Sequence, residues 1–284
     1  MTLHTQHYAG YQGLPLCADV GGDPANPPVI LLHGGGQTRY SWGRAAREMV
    51  QAGFHVIALD LRGHGDSGWA PDGDYSSDAF IADLKAVIAT LDQPPALVGA
   101  SLGGAVSLLC IGECEQRLAS ALVLVDVVPR MAQSGMKHIG EFMRGNLDGF
   151  ADLQEAADAV ARYLPGRPRP SSPDGLLKNL RLKEDGRYYW HWDPQFQLGK
   201  SRPQPQDFSD RLERAAVCVK VPTLLVRGKQ SDLVTPEGAQ LLLQLIPHAQ
   251  FVDVEGAGHM VAGDKNDVFN SAIEHFLNNT LQAA

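Results

Sequence analysis

Cysteine is scarce in this chain: four among 284 residues, Cys17, Cys110, Cys114 and Cys218, and scattered. So few, so far apart, exclude a disulfide framework as the source of stability. Cys110 and Cys114 stand one helical turn apart, where a metal site would find only Glu113 and Glu115 to complete it, so core packing is expected for the thiols. Positive charge is also in short supply, 24 basic against 32 acidic residues for a net charge of -8, which argues against nucleic acid as a partner. No apolar run approaches the roughly 18 residues of a membrane span. The opening stretch MTLHTQHYAGYQG lacks the basic-then-apolar pattern of a secretory leader. There are no internal repeats. A cytoplasmic protein away from membranes is therefore the expectation; its expected partner is a small-molecule substrate, and its expected state a monomer or homodimer. Its 44% apolar residues are ample for a sizeable core.

Short apolar strands alternate with helical periods, the pattern of a mostly parallel sheet covered on both faces. Tyr8 to Val20 reads as a hairpin around Gly13. Val29-Ile30-Leu31-Leu32 is a buried strand that breaks into His33-Gly34-Gly35-Gly36, and Trp42 to Ala52 is helical. His55 to Leu59 is the next strand and runs into the glycine-punctuated turn Asp60 to Gly68. Ser77 to Leu91 is an amphipathic helix, and Leu122 to Val125 is another buried strand. Pro222 to Val226 and Gln250 to Val254 are the last two strands, with a helix from about Pro236 to Leu245 between them. A helix from Asp264 to Leu281 ends the pattern, with Val268, Ile273, Phe276 and Leu277 expected to face inward. Residues 128–207 break the alternation and show no clear strand. They read as a mostly helical lid inserted into a core formed by residues 1–127 and 208–284.

The chemistry concentrates where Ala96-Leu97-Val98-Gly99-Ala100-Ser101-Leu102-Gly103-Gly104 turns from strand to helix. G-x-S-x-G in that context puts a serine on a sharp turn above the sheet, its hydroxyl exposed and amide groups nearby. A serine hydroxyl needs an imidazole to take its proton, and the imidazole needs a carboxylate to hold its tautomer. Ligands of an open parallel sheet gather beyond the carboxyl ends of its strands. After the last strand comes Glu255-Gly256-Ala257-Gly258-His259, which makes His259 the base. His248 precedes its strand, and His33 and His64 sit in glycine turns where an imidazole commonly bonds the backbone. The acid has two candidates, each after a strand: Asp126 and Asp232. Asp232 is preferred because its strand is stronger and its glycine-started loop gives the carboxylate room to swing. Oxyanion donors are expected from the N–H of Leu102 and from the glycine loop, with Gly35 first and Gly36 as alternative. That loop lacks the spacing of a nucleotide phosphate loop.

With these pieces the chain resembles the α/β-hydrolase superfamily over nearly its full length. The matching stretches are HGGG at 33–36, DLRGHGDSG at 60–68, GASLGG at 99–104, GKQSD at 228–232 and GAGH at 256–259. The resemblance implies an eight-stranded sheet with an antiparallel second strand and a lid after the sixth. It also implies Ser101 as nucleophile, His259 as base, Asp232 as acid, Gly35 and Leu102 as oxyanion donors, and no cofactor or metal. The chain looks most like small bacterial hydrolases labelled esterase, epoxide-hydrolase-like or cofactor-free haloperoxidase. Ser101 stands where epoxide hydrolases and haloalkane dehalogenases carry Asp.

The expected reaction is hydrolysis of a carboxylic ester, lactone or thioester of a small, largely apolar substrate through an acyl-serine. Gly36 and the lid residues Met131, Phe142, Met143, Trp190 and Trp192 are expected to line its pocket. C–C bond hydrolysis or perhydrolysis would use the same triad, and a ligand receptor that keeps the triad is the alternative of another class. The lid's basic residues Arg162, Arg167, Arg169, Lys178, Arg181, Lys183 and Arg187 would either steer anionic substrates or form a solvated face.

Overall fold

Strands β3 (Pro28–Leu32), β4 (His55–Leu59), β5 (Ala96–Ala100), β6 (Ala121–Val125) and β9 (Thr223–Gly228) are nearly continuous runs of Val, Leu, Ile and Ala. Such runs are buried on both faces only when helices cover both sides of a sheet. The computed structural model, which describes residues 2–164, 172–199, 204–259 and 266–281, has that architecture. Eight strands form one sheet in the order β1-β2-β4-β3-β5-β6-β9-β10, with β1 (His4–Ala9), β2 (Pro15–Gly21) and β10 (Gln250–Val254) completing it. β2 runs antiparallel to both neighbours and every other pairing is parallel.

Alternation along each strand divides the core in two. Ile30, Leu32, Leu97, Leu122 and Leu124 pack with α2 (Ser77–Ile88), α3 (Leu102–Gly112), α7 (Pro205–Val217) and α8 (Pro236–Leu245). Val29, Leu31, Val98, Val123 and Val125 pack with α1 (Gly43–Gln51) and α9 (Asn266–Leu281) on the other face. On α9, Ile273, Phe276 and Leu277 face inward as expected, but Val268 is 54% exposed. Cys17 and Cys110 are buried. Cys114 lies past the end of α3, and Cys218 is exposed rather than in the core.

Between β6 and β9 lie α4 (Gln133–Arg144), α5 (Leu153–Tyr163), a small hairpin of β7 (Leu180–Leu182) and β8 (Tyr188–Trp190), and the short helix α6 (Gln195–Leu198). The hairpin departs from the strandless reading of this stretch. Its turn carries Asp185-Gly186, with Gly186 at φ 77°, the residue type such a turn demands. Arg167 and Arg169 fall outside the described residues. Arg187 donates to the Asp148 and Gly149 carbonyls, Arg181 to the Gly65 carbonyl and Asp66, and the Lys183 ammonium lies 4.0 Å over the Tyr189 ring. Arg187 and Lys183 thus brace the lid internally, and Arg181 ties it to the turn Asp60 to Gly68 of the core. Among the described residues, no helix is long and apolar enough to cross a membrane.

Candidate active site

β5 delivers Ser101 to the sheet's carboxyl edge at φ 46°, ψ -111°, a left-handed conformation that is strained for a side-chain-bearing residue. The glycines around it make the turn possible. A Cβ on Gly99 would lie 2.4 Å from the Gly104 nitrogen, and one on Gly103 2.4 Å from the Leu32 carbonyl oxygen. The Ser101 N–H donates to the Val125 carbonyl at 3.1 Å, so the serine sits beside the end of β6.

The next residue on that neighbouring strand is Asp126, also left-handed at φ 48° and 1% exposed. Its N–H donates to the Val226 carbonyl at 2.8 Å, which aims the side chain over the sheet edge. Its carboxylate accepts three hydrogen bonds: Oδ1 from the Gly228 N–H at 3.1 Å, and Oδ2 from the Ser231 hydroxyl at 2.6 Å and from His259 Nδ1 at 2.6 Å. The Ser231 oxygen in turn accepts from the N–H groups of Leu233 and Val234, at 3.1 and 3.0 Å. A carboxylate can only accept, so Nδ1 carries the imidazole proton and Nε2 presents a lone pair.

The expected acid is thereby corrected. His259 meets Asp126, and Asp232 is exposed on the rim. The glycine-started loop that pointed to Asp232 does serve the site, through Gly228 and Ser231, which both bond the carboxylate of Asp126. Ser101 makes no side-chain hydrogen bond among the described residues. Such bonds are often long without substrate and tighten when it binds.

Opposite Ser101 lies the glycine loop; a Cβ placed on Gly34 would come 3.5 Å from the Cβ of Ser101. Its three amide groups have different partners. The Gly34 N–H donates to Gln37 Oε1 at 3.1 Å and the Gly36 N–H to His64 Nε2 at 3.1 Å. The Gly35 N–H has no partner among the described residues, and neither does the Leu102 N–H at the first turn of α3. Gly36 is therefore spoken for as a donor.

Two buried imidazoles brace this loop. His33 donates from Nδ1 to the Gly34 carbonyl at 2.8 Å and accepts the Leu61 N–H at Nε2 at 3.0 Å. Burial holds its pKa down at about 4, and that of His64 at about 3, so both are neutral. Beneath them Arg39, 3% exposed, binds Asp19, Asp60 and Asp66. Cys17, Asp60 and Asp66 bring possible metal donors within 4.8 Å of one another. The guanidinium already occupies both carboxylates, and burial pushes the Cys17 thiol up to about 11, so this cluster does not fit a cation.

The lid residues divide. Met143 and Trp192 are buried and close on Gly36: a Cβ there would lie 2.9 Å from Met143 Cε and 3.7 Å from Trp192 Nε1. Phe142 stacks instead on Tyr163, with ring centroids 4.1 Å apart, and Trp190 stands edge-on to Phe142 and Phe150. Met131 packs half-buried on the core cluster. One lid residue escaped the sequence reading: the Phe196 ring lies 3.5 Å from where a Gly35 Cβ would stand, edge-on to His64 at 4.9 Å. A lone Phe on a four-residue helix carries no periodic signal by which to find it.

Residues 27–265 match the model of the alpha/beta hydrolase fold family, and the chain belongs to that family. It is 32% identical over 248 residues to an esterase of Mycobacterium tuberculosis, an alignment spanning 84% of this chain and 78% of that one. It is 30% identical over 281 residues to an sn-1-specific diacylglycerol lipase of Mus musculus, spanning 96% and 88%. Among solved structures, E-2-(acetamidomethylene)succinate hydrolase superposes with a TM-score of 0.84 at 22% identity, covering 97% of this chain and 99% of that chain. The structure of the M. tuberculosis esterase superposes with a TM-score of 0.76 at 27% identity, covering 98% and 93%.

Proposed function

We propose that this enzyme hydrolyses carboxylic esters through an acyl-Ser101 intermediate, with His259 as base and Asp126 as the acid that orients it. The observation that carries the reading is the 2.6 Å bond from His259 Nδ1 to a buried carboxylate on the strand end beside Ser101. The family and its esterase and lipase relatives support the reaction class.

Nε2 takes the Ser101 hydroxyl proton as Oγ bonds to the ester carbonyl carbon, and the carbonyl electron pair moves onto its oxygen. The N–H groups of Gly35 and Leu102 receive that oxyanion, the latter aided by the dipole of α3. Collapse of the intermediate expels the alcohol oxygen, which takes the proton back from the imidazolium. Water, deprotonated by His259, then attacks the acyl-serine by the same route and releases the acid. Met143, Trp192 and Phe196 wall the oxyanion side with apolar surface, which suits a small, largely apolar substrate. The same triad could serve lactones and thioesters.

The test is turnover of short p-nitrophenyl esters by wild type and Ser101→Ala, with mass spectrometry of protein treated with a fluorophosphonate. The expected result is loss of turnover in the variant and a single adduct on Ser101. Equal rates, or an adduct elsewhere, would overturn the reading.

A further inference from the structure

The oxyanion loop has a side chain inside it that the reaction above does not use. His64 is fully buried, sits in the turn Asp60 to Gly68, and is joined at both ring nitrogens. Nδ1–H donates to the Arg62 carbonyl at 2.9 Å, so Nε2 is an acceptor, and what it accepts is the Gly36 N–H. Gly36 is held there at φ 77°. Gln37 takes the Gly34 N–H in the same way. Of three consecutive amides, two are tied back into the protein and the middle one is left for a ligand.

We infer that His64 is a positioning residue for the oxyanion hole: by fixing the Gly36 amide it sets the peptide orientation that points the Gly35 N–H at the substrate. The inference rests on the esterase reading and adds a residue to it. Its physical basis is the steep dependence of oxyanion stabilisation on donor placement. A donor is worth a factor of roughly 100–1000 in rate when aimed at the developing charge. A misplacement of about 1 Å can cost roughly a hundredfold. Glycine peptides turn freely and need such a clamp.

The clamp is itself braced from the lid. The Gly65 N–H donates to the His191 carbonyl at 2.7 Å, and the Asp193 N–H to the Gly63 carbonyl at 2.8 Å, so the lid segment 191–193 pairs with the turn that carries His64. The Asp193 carboxylate accepts the Tyr75 hydroxyl at 2.5 Å, and Phe196 closes on both His64 and Gly35. Burial keeps the imidazole neutral, the form an acceptor must have.

Two isosteric substitutions separate this role from simple packing. In His64→Gln the amide oxygen reaches the place of Nε2 and can still accept from Gly36. In His64→Asn the amide nitrogen replaces Nδ1 and keeps the bond to the Arg62 carbonyl, while Gly36 loses its acceptor. We expect His64→Gln to stay within about threefold of wild-type kcat. His64→Asn should lose roughly tenfold to a hundredfold in kcat with KM little changed. The affinity for a boronic acid, which binds as a tetrahedral oxyanion mimic, should fall in parallel. Melting temperatures are measured beside the kinetics. If both variants lose kcat alike, in step with their melting temperatures, or if His64→Asn keeps full kcat, the positioning role is wrong. Ser101→Ala, run in parallel, tests the esterase reading separately, since a failure there leaves all His64 variants without a shared baseline activity at Ser101.

Discussion

Ser231 illustrates how a single hydroxyl shapes the site. It donates to Asp126 Oδ2 and accepts two backbone N–H groups, so the carboxylate is held in place by the loop after β9. Removing it leaves Asp126 short of one donor without breaking the bond to His259. Ser231→Ala should therefore lower kcat by roughly tenfold, on the scale of a charge-assisted hydrogen bond, in a p-nitrophenyl ester assay. An unchanged kcat would show the carboxylate to be held well enough by Gly228 and His259 alone. Ser101 and His259 were legible as sequence because each follows a strand in a glycine setting that has few other uses. Asp126 also follows a strand but lacks such a setting. What favours it is a left-handed backbone at residue 126, and an aspartate after a strand does not announce that conformation. Ser231 stands beside Asp232, and the sequence alone does not tell which of two adjacent polar residues points inward.

At the scale of elements, the strands were readable because the buried runs are long and apolar, and β7 and β8 were not because they have three residues each. The turn Asp60 to Gly68 is secured by charge. Arg62 and Asp83 of α2 are both 4% exposed and pair at 2.6 Å, and Asp83 also accepts the Tyr11 N–H at 2.7 Å. Asp83→Ala would strand a buried guanidinium, so we expect a loss of about 3–5 kcal/mol in urea unfolding. A loss below 1 kcal/mol would mean that water replaces the carboxylate at no cost. Gly99 makes a parallel case by sterics. Gly99→Ala places a methyl group within 2.6 Å of the backbone of Gly103 and Gly104. It should reduce both the melting temperature and the yield of active enzyme.

Over the whole molecule, the two buried imidazoles tie stability to pH. His33 and His64 titrate at about 4 and about 3 in the fold and near 6.5 in the unfolded chain. Below pH 6.5 the unfolded state binds the additional protons. The stability these two groups contribute is complete above that pH and is lost as pH falls toward their folded values. Unfolding free energies from urea titrations should be level above pH 7 and decline from pH 6.5 to 5, with a slope approaching about 1.4 kcal/mol per pH unit for each imidazole. A flat profile in that window would show that both rings take up protons in the fold, and half the slope that one does.

The carboxylate beside His259 is the point on which the catalytic account turns, and Asp126→Asn compared with Asp232→Asn measures it most directly. The expected result is a fall in kcat on the order of ten-thousand-fold for Asp126→Asn, the size known for the same change in a serine-protease triad, with Asp232→Asn within a few-fold of wild type. A collapse of kcat in Asp232→Asn alone would contradict it.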